Sequence, residues 1–422
     1  MLGYLVISIR LREQVGKKQI VVQGQETARS NISPVRNKIC VVLLVLLGFA
    51  LGCSEFMPIG IESELATEFN MPLSDIGALV SLFALPYAIM TPVLALTTGR
   101  FKRYTLLVAY CAIYCLGNLV SAFAFNFPTL LGARIAMGCV CGALLAVGTT
   151  YIPELVSPKK MGMVISMVYG AFSVAMVVAT SLGKICADTV GWHVAMYGTL
   201  AVAVIVSAAM VALLPREGET DVPATFKEQA GLLREPSVIF GIFIFVFGVG
   251  SIYVFYGFIT PYLEQILGMD TMAASTTLMV YGGICLISNL LGGWFDERFG
   301  MPSLLVIFPV IALVLLSITL TGSNMPWGLV AIFALALVMY CFSIACITQF
   351  MRIARDRHPK SITLATSLEP MAFNVGIAFG TMIGGFVVAG PGIAYSGAVG
   401  AVFALLAWAM AAGMIISLKN KR

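Results

Sequence analysis

Twelve separate runs of about twenty apolar residues constrain this chain more than any other feature; they lie near 39–61, 73–97, 104–125, 129–152, 162–187, 193–214, 238–262, 272–295, 302–322, 326–350, 361–389 and 392–418. A run of that length is what a helix needs to cross hydrocarbon, where no water is available to bond exposed backbone groups. Charged side chains make up only 11% of the residues, against about a quarter in soluble domains. The expected fold class is therefore an all-α membrane protein with twelve transmembrane helices in two six-helix bundles.

Alternating the chain across a bilayer twelve times, with both ends inside, places 23 of the 25 Lys and Arg residues on one side; the two exceptions, Arg134 and Lys184, fall within apolar runs. Basic residues collect on the cytoplasmic side, so both termini are expected in the cytoplasm, with the chain in the inner (plasma) membrane. The opposite loops hold Glu62, Glu64, Glu68, Asp75, Glu264 and Asp270 instead. The net charge of +5 thus marks topology and gives no reason to expect a nucleic-acid partner. The implied organisation is a cytoplasmic tail at 1–38, a six-helix bundle at 39–214, a polar linker with three prolines at 215–237, a second bundle at 238–418 and a short cytoplasmic tail at 419–422.

Catalytic chemistry has little to stand on. The ten cysteines sit within apolar runs, where a thiol acts as a small hydrophobe. His193 and His358 are the only histidines, and no HExxH, GxSxG or P-loop pattern occurs. No metal, no cofactor and no enzymatic activity are expected. If the protein moves a solute, an existing gradient must drive it.

The two halves echo each other. Arg100-Phe101 follows the second run as Arg298-Phe299 follows the eighth, and Pro58 ends the first as Pro261 ends the seventh. Duplication of this kind marks transporters that rock two bundles about a site at the midplane. The segment Ser54-Glu55-Phe56-Met57-Pro58-Ile59-Gly60 resembles an acidic-Phe-x-Pro-x-Gly signature, Leu130 to Gly138 an Arg-containing fourth-span motif, and Ala372-Phe373-Asn374-Val375-Gly376 an eleventh-span pattern. Together they resemble the major facilitator superfamily, and within it the twelve-span bacterial drug/proton antiporter and sugar or nucleoside efflux branch. Two departures stand out. The loop Leu96-Thr97-Thr98-Gly99-Arg100-Phe101-Lys102-Arg103 lacks the family's Asp, which its counterpart keeps as Asp296, and the fifth span has no proline between Gly170 and Gly183.

Four charges lie inside apolar runs, Glu55, Arg134, Lys184 and Glu369, each costing about 2.5–3.5 kcal/mol on insertion scales. Glu55 shares a helix face with Gly48, Gly52 and Ile59. Small residues there let another helix approach and desolvate the carboxylate, which suits a group that gains and releases a proton; a structural hydrogen bond, a permanent ion pair or an outer-interface position are the alternatives. By the resemblance, Arg134 tunes a nearby carboxylate or holds an anionic substrate group, unless it snorkels to the interface. Lys184 lies on a polar stripe with Ser173 and Thr180, facing substrate, or pairs with Asp188 four residues on. Glu369 is either a second protonatable group or a gate partner for Arg352 or Arg355, and the Gly376, Gly380, Gly384 row beneath it has helix-packing spacing.

Tyr87, Asn118, Tyr253, Tyr256, Tyr281, Asn289, Gln349 and Asn374 supply polar tips on apolar bodies suited to an amphiphilic solute. The resemblance puts Tyr253, Tyr256 and Gln349 first, because the seventh and tenth spans line its central path. It also implies gating by Gly99, Arg100 and Arg103 in one half and by Asp296 and Arg298 in the other. The resulting expectation is a monomeric, proton-coupled secondary transporter that exports a small organic solute. Proton-coupled import on the same fold is the alternative, and a membrane receptor or sensor is a third.

Overall fold

The computed structural model describes residues 34–98, 101–216, 231–358 and 362–420. Within these, twelve helices are long and apolar enough to cross a membrane, and no strand is present among the described residues. Span 1 is Pro34–Gly60, span 2 Ala78–Thr98, span 3 Arg103–Ala122, span 4 Phe127–Thr149, span 5 Pro158–Thr189 and span 6 Trp192–Leu213. In the second half, span 7 is Pro236–Tyr256, span 8 Thr271–Phe299, span 9 Leu304–Thr321, span 11 Ile362–Ala389 and span 12 Ser396–Asn420. By the asymmetry of basic residues, the face bearing the short helix Glu62–Glu68 is the outer one.

Local chemistry sets several of the ends. The Asn126 side chain accepts from the Thr129 N–H at 2.8 Å to start span 4, and Asp270 does the same for Ala273 at 2.8 Å to start span 8. The tight outer turn between spans 5 and 6 passes through Gly191 at φ 103°, a conformation that a side chain would strain.

Span 10 departs from expectation. The sequence reads as one helix near 326–350, yet the chain forms Met325–Val338, breaks, and resumes as Ser343–Arg357. No proline or glycine marks the break. It is tolerated because Ser288 of span 8 accepts from the freed Tyr340 N–H at 2.9 Å, so the irregular backbone stays satisfied against protein rather than lipid.

The packing is duplicated. Span 1 packs on span 5 as span 7 packs on span 11, and span 2 on span 4 as span 8 on span 10. Two further pairs, span 2 on span 11 and span 5 on span 8, join the bundles. Close approach depends on small residues: a Cβ on Gly48, Gly52 or Gly60 would overlap Val168, Ala175 or Thr180 of span 5. The Gly376, Gly380, Gly384 row does the same for span 11 against span 7.

Each bundle also ends its leading span alike. Span 1 breaks after Gly60 and restarts as Glu62–Glu68, and span 7 breaks after Tyr256 and restarts as Ile259–Gln265. These two short helices meet across the outer end of the interface.

Candidate functional site

Pro58 shapes the centre of the first bundle. Lacking an N–H, it leaves the Ser54 carbonyl, four residues back, without its helix partner. Arg134 of span 4 fills the gap: its Nη1 donates to the Ser54 carbonyl, Nη2 to the Glu55 carbonyl at 3.0 Å, and Nε to the Leu79 carbonyl of span 2 at 3.1 Å. The guanidinium also lies 4.3 Å from the centre of the Phe83 ring. At 2% exposure Arg134 does not snorkel; it clasps spans 1, 2 and 4 together.

Glu55 is therefore buried beside a cation whose bonds go to backbone. Its residue is 4% exposed, and among the described residues no hydrogen bond or ion pair reaches its carboxylate. One residue earlier, Ser54 Oγ bonds to the Tyr114 hydroxyl at 2.8 Å and the Asn118 side chain at 2.9 Å, fastening span 1 to span 3. Asn118 is spent on that network.

An aromatic wall from the second bundle faces this region. Tyr253 and Tyr256 meet edge to face at 5.4 Å, Tyr256 stacks on Tyr281 at 5.2 Å, and Tyr340 stacks on Phe373 at 6.3 Å. Tyr87 and Tyr340 each lie within electrostatic reach of both Glu55 and Glu369, which places the two carboxyl groups around a common interior. The Tyr253 hydroxyl and the Asn374 Oδ1 are buried without a partner, the kind of unpaired polar atom that a bound solute satisfies. Gln349 is buried on the inner half of span 10, with no hydrogen bond or ring contact to the tyrosines among the described residues.

Sequence reasoning passed over Tyr340 and Phe373 as wall residues. Tyr340 sits in the break of span 10, which nothing in the local residue types announces.

Lys184 takes neither of its expected places. Asp188 is exposed, and Lys184, at 2% exposure, instead pairs with Glu64 of the first bundle and Glu264 of the second. A lysine N-terminal to its acid at i,i+4 is the weaker helix order, and the stripe of Ser173, Thr180 and Lys184 faces the bundle interface. Ser63 donates to the same Glu264, and Thr260 Oγ1 donates to the Ile59 carbonyl at 2.6 Å. Deeper in, Asn289 of span 8 bonds to Ser173 of span 5 at 3.4 Å. Among the described residues, the hydrogen bonds and ion pairs joining the bundles all lie from this level outward, so the outer side is shut.

The inner side has no such bridge among the described residues. Arg103 grips Glu154 with both terminal nitrogens at 2.8 Å, donates to the Thr150 carbonyl at 3.2 Å and stacks 3.8 Å from the Tyr151 ring centre, all within the first bundle. Asp296 accepts from Thr348 at 2.8 Å within the second, and Arg298 lies over Trp294 and Phe299 of its own helix. Glu369 makes no ion pair with Arg352 or Arg355 among the described residues. Gly99 and Arg100 lie outside the described residues.

No group of three or more His, Cys, Asp or Glu side chains is placed to hold a metal ion among the described residues. The Major Facilitator Superfamily sequence profile matches residues 44–368. YtbD of Bacillus subtilis strain 168, an uncharacterized MFS-type transporter, is 26% identical over 357 residues, covering 85% of this chain and 90% of the relative. The inner membrane transport protein YdhP of Escherichia coli K12 is 26% identical over 365 residues, covering 86% and 92%. The crystal structure of a D-xylose-proton symporter superposes with a TM-score of 0.72 at 16% identity, covering 90% of this chain and 97% of that one. The chain belongs to the major facilitator superfamily: it is a multi-pass inner-membrane protein for secondary active transport of a small solute, and not an enzyme.

Proposed function

We propose that the protein couples proton movement to the passage of a small organic solute, with Glu55 as the group that gains and releases the proton. One observation carries the reading: the Glu55 carboxyl is buried with no bonded cation among the described residues, while the Arg134 beside it directs Nε, Nη1 and Nη2 to the Leu79, Ser54 and Glu55 carbonyls. A carboxyl so placed is costly as an anion and acceptable as an acid, so its protonation shifts the balance between states that differ in its surroundings. Glu369, across the tyrosine wall, is the second protonatable group. Tyr253, Tyr256, Tyr340 and Asn374 line the solute side, with the unpaired Tyr253 hydroxyl and Asn374 Oδ1 as its polar contacts.

For direction, uptake together with protons is the reading we favour, since a proton symporter for D-xylose has the same fold. Export in exchange for protons is the second reading, in the drug, sugar or nucleoside efflux branch, and the Glu55-Phe56-Met57-Pro58-Ile59-Gly60 segment favours it. In both, the chain ends are cytoplasmic, the units meet at the 215–237 linker, and Arg103, Asp296 and Arg298 stiffen the inner ends of their bundles.

The test is a panel of sugars, nucleosides and amphiphilic drugs added to proteoliposomes without a pH gradient, with a pH dye outside. Symport makes the outer solution more alkaline as protons enter with solute, and antiport acidifies it. Glu55→Gln is expected to abolish the dye response while solute binding persists. A Glu55→Gln protein that still moves protons with solute at the normal rate overturns the assignment.

A further inference from the structure

Glu62 has no role in any of the above. It is 0% exposed, yet neither of its carboxyl oxygens has a hydrogen-bond partner. It opens the short helix Glu62–Glu68, which is covered by Leu73–Ile76 of its own bundle and by Ile259–Gln265 of the other. The cover from the second bundle exists only while the outer face is shut.

The charged and titratable groups around it are accounted for elsewhere. On its own helix, Glu64 is already bonded to Lys184 and Glu68 is exposed. From the second bundle, Glu264 shares the same Lys184, and Tyr262 donates its hydroxyl to the Ile318 carbonyl at 3.2 Å. Asp75 is exposed and takes a bond from Ser74 at 3.3 Å, Asp188 at the end of span 5 is exposed, and His193 of span 6 stacks on Trp192. Arg134 is held by carbonyls one layer deeper, with Glu55 beside it. An ionised Glu62 would thus be a buried anion facing the Glu64 carboxylate with no cation left for it, a state that a protein avoids by keeping the group neutral. Burial, and next the Glu64 carboxylate, push the Glu62 carboxyl well above the usual carboxylate range.

We propose that Glu62 is a further proton site, built into the outer gate and separate from Glu55 and Glu369, that must hold a proton for the gate to shut. Closing the outer face takes up one proton from the outer solution, and opening hands it back as Glu62 regains water. A cleft of about 300 Å³ lined by Ser63, Thr67, Met71 and Glu264 brings that solution to the gate. The sign follows from linkage: the shut state has the raised value, so closure is fully favoured below the ordinary carboxylate range. That preference is lost as outer pH rises through the shut-state value, by about tenfold in the shut-to-open ratio per pH unit.

The proposal does not rest on Glu55, and the experiment keeps the two apart. Hydrogen exchange is followed by mass spectrometry on the full chain in nanodiscs, over residues 62–68 and 259–265. It is measured across a pH series corrected for intrinsic exchange, in the wild type, Glu62→Gln and Glu55→Gln. Expected are protection that falls as pH rises in the wild type, the same fall in Glu55→Gln, and protection independent of pH in Glu62→Gln. Should Glu62→Gln not fold, Glu62→Met, also neutral, is expected to give the same flat profile. In the infrared, the protonated-carboxyl C=O stretch of the shut protein should lose intensity in either neutral variant. A Glu62→Gln or Glu62→Met profile that tracks the wild type, or a wild type with no pH response, overturns the proposal.

Discussion

A proline and an arginine 76 residues apart in sequence solve one problem between them. Pro58 exposes the Ser54 carbonyl inside the membrane, where an unbonded backbone group costs several kcal/mol, and Arg134 covers that carbonyl and two more. Lysine keeps the charge but offers a point donor rather than a planar fork. Arg134→Lys should therefore strand two of the three carbonyls and lower stability by about 1–3 kcal/mol for each, read as a fall in the melting temperature of the purified protein. An unchanged melting temperature would remove the clasp from the account. Glu55 and Arg134 were each visible in the sequence as charges within apolar runs. Their relation was not, because it passes through backbone oxygens of spans 1 and 2 that meet Arg134 only once span 4 has packed against them.

At the scale of the helix, the sequence was read well where the physics is local and poorly where it is not. Hydropathy places all twelve spans because each must satisfy its own backbone in lipid. The glycine rows announce close packing because no other residue fits there. Span 10 escaped this reading: its break depends on Ser288, which belongs to another helix. Glu62 escaped for a similar reason, since an acid just beyond a span looks like a solvated loop residue until the opposite bundle covers it. The packing itself is open to test. Gly60→Ala should drive a methyl into the Thr180 carbonyl of span 5, whereas Gly132→Ala meets nothing. The first should cost about 1–3 kcal/mol by overpacking and the second should be neutral or slightly stabilising. Denaturation of the two variants side by side checks this, and equal stabilities would contradict the close approach of spans 1 and 5.

Among the described residues, the polar links between bundles run from mid-membrane outward, and Lys184 at the outer end ties an acid of each bundle together. Removing its charge leaves Glu64 and Glu264 pressed together, each a like charge to the other. Lys184→Met should thus open the outer face. Spin labels at Thr67 and Met272, exposed on opposite bundles, should report a longer separation than in the parent chain; an unchanged distance distribution would deny Lys184 its part. Duplication explains why the arrangement can rock: each bundle carries the same internal contacts, so motion can be concentrated at the seam between them.

The seam has one more property. The last turn of span 1 relies on a hydroxyl from the other bundle, Thr260, to cap the Ile59 carbonyl. When the two bodies part, that oxygen loses this donor. Solvent has to flood in as a temporary cap and be expelled again on reclosure. Wetting and drying of this helix end would then accompany opening and closing, and osmotic stress, which opposes hydration, should slow outward opening in the wild type and in Glu55→Gln alike.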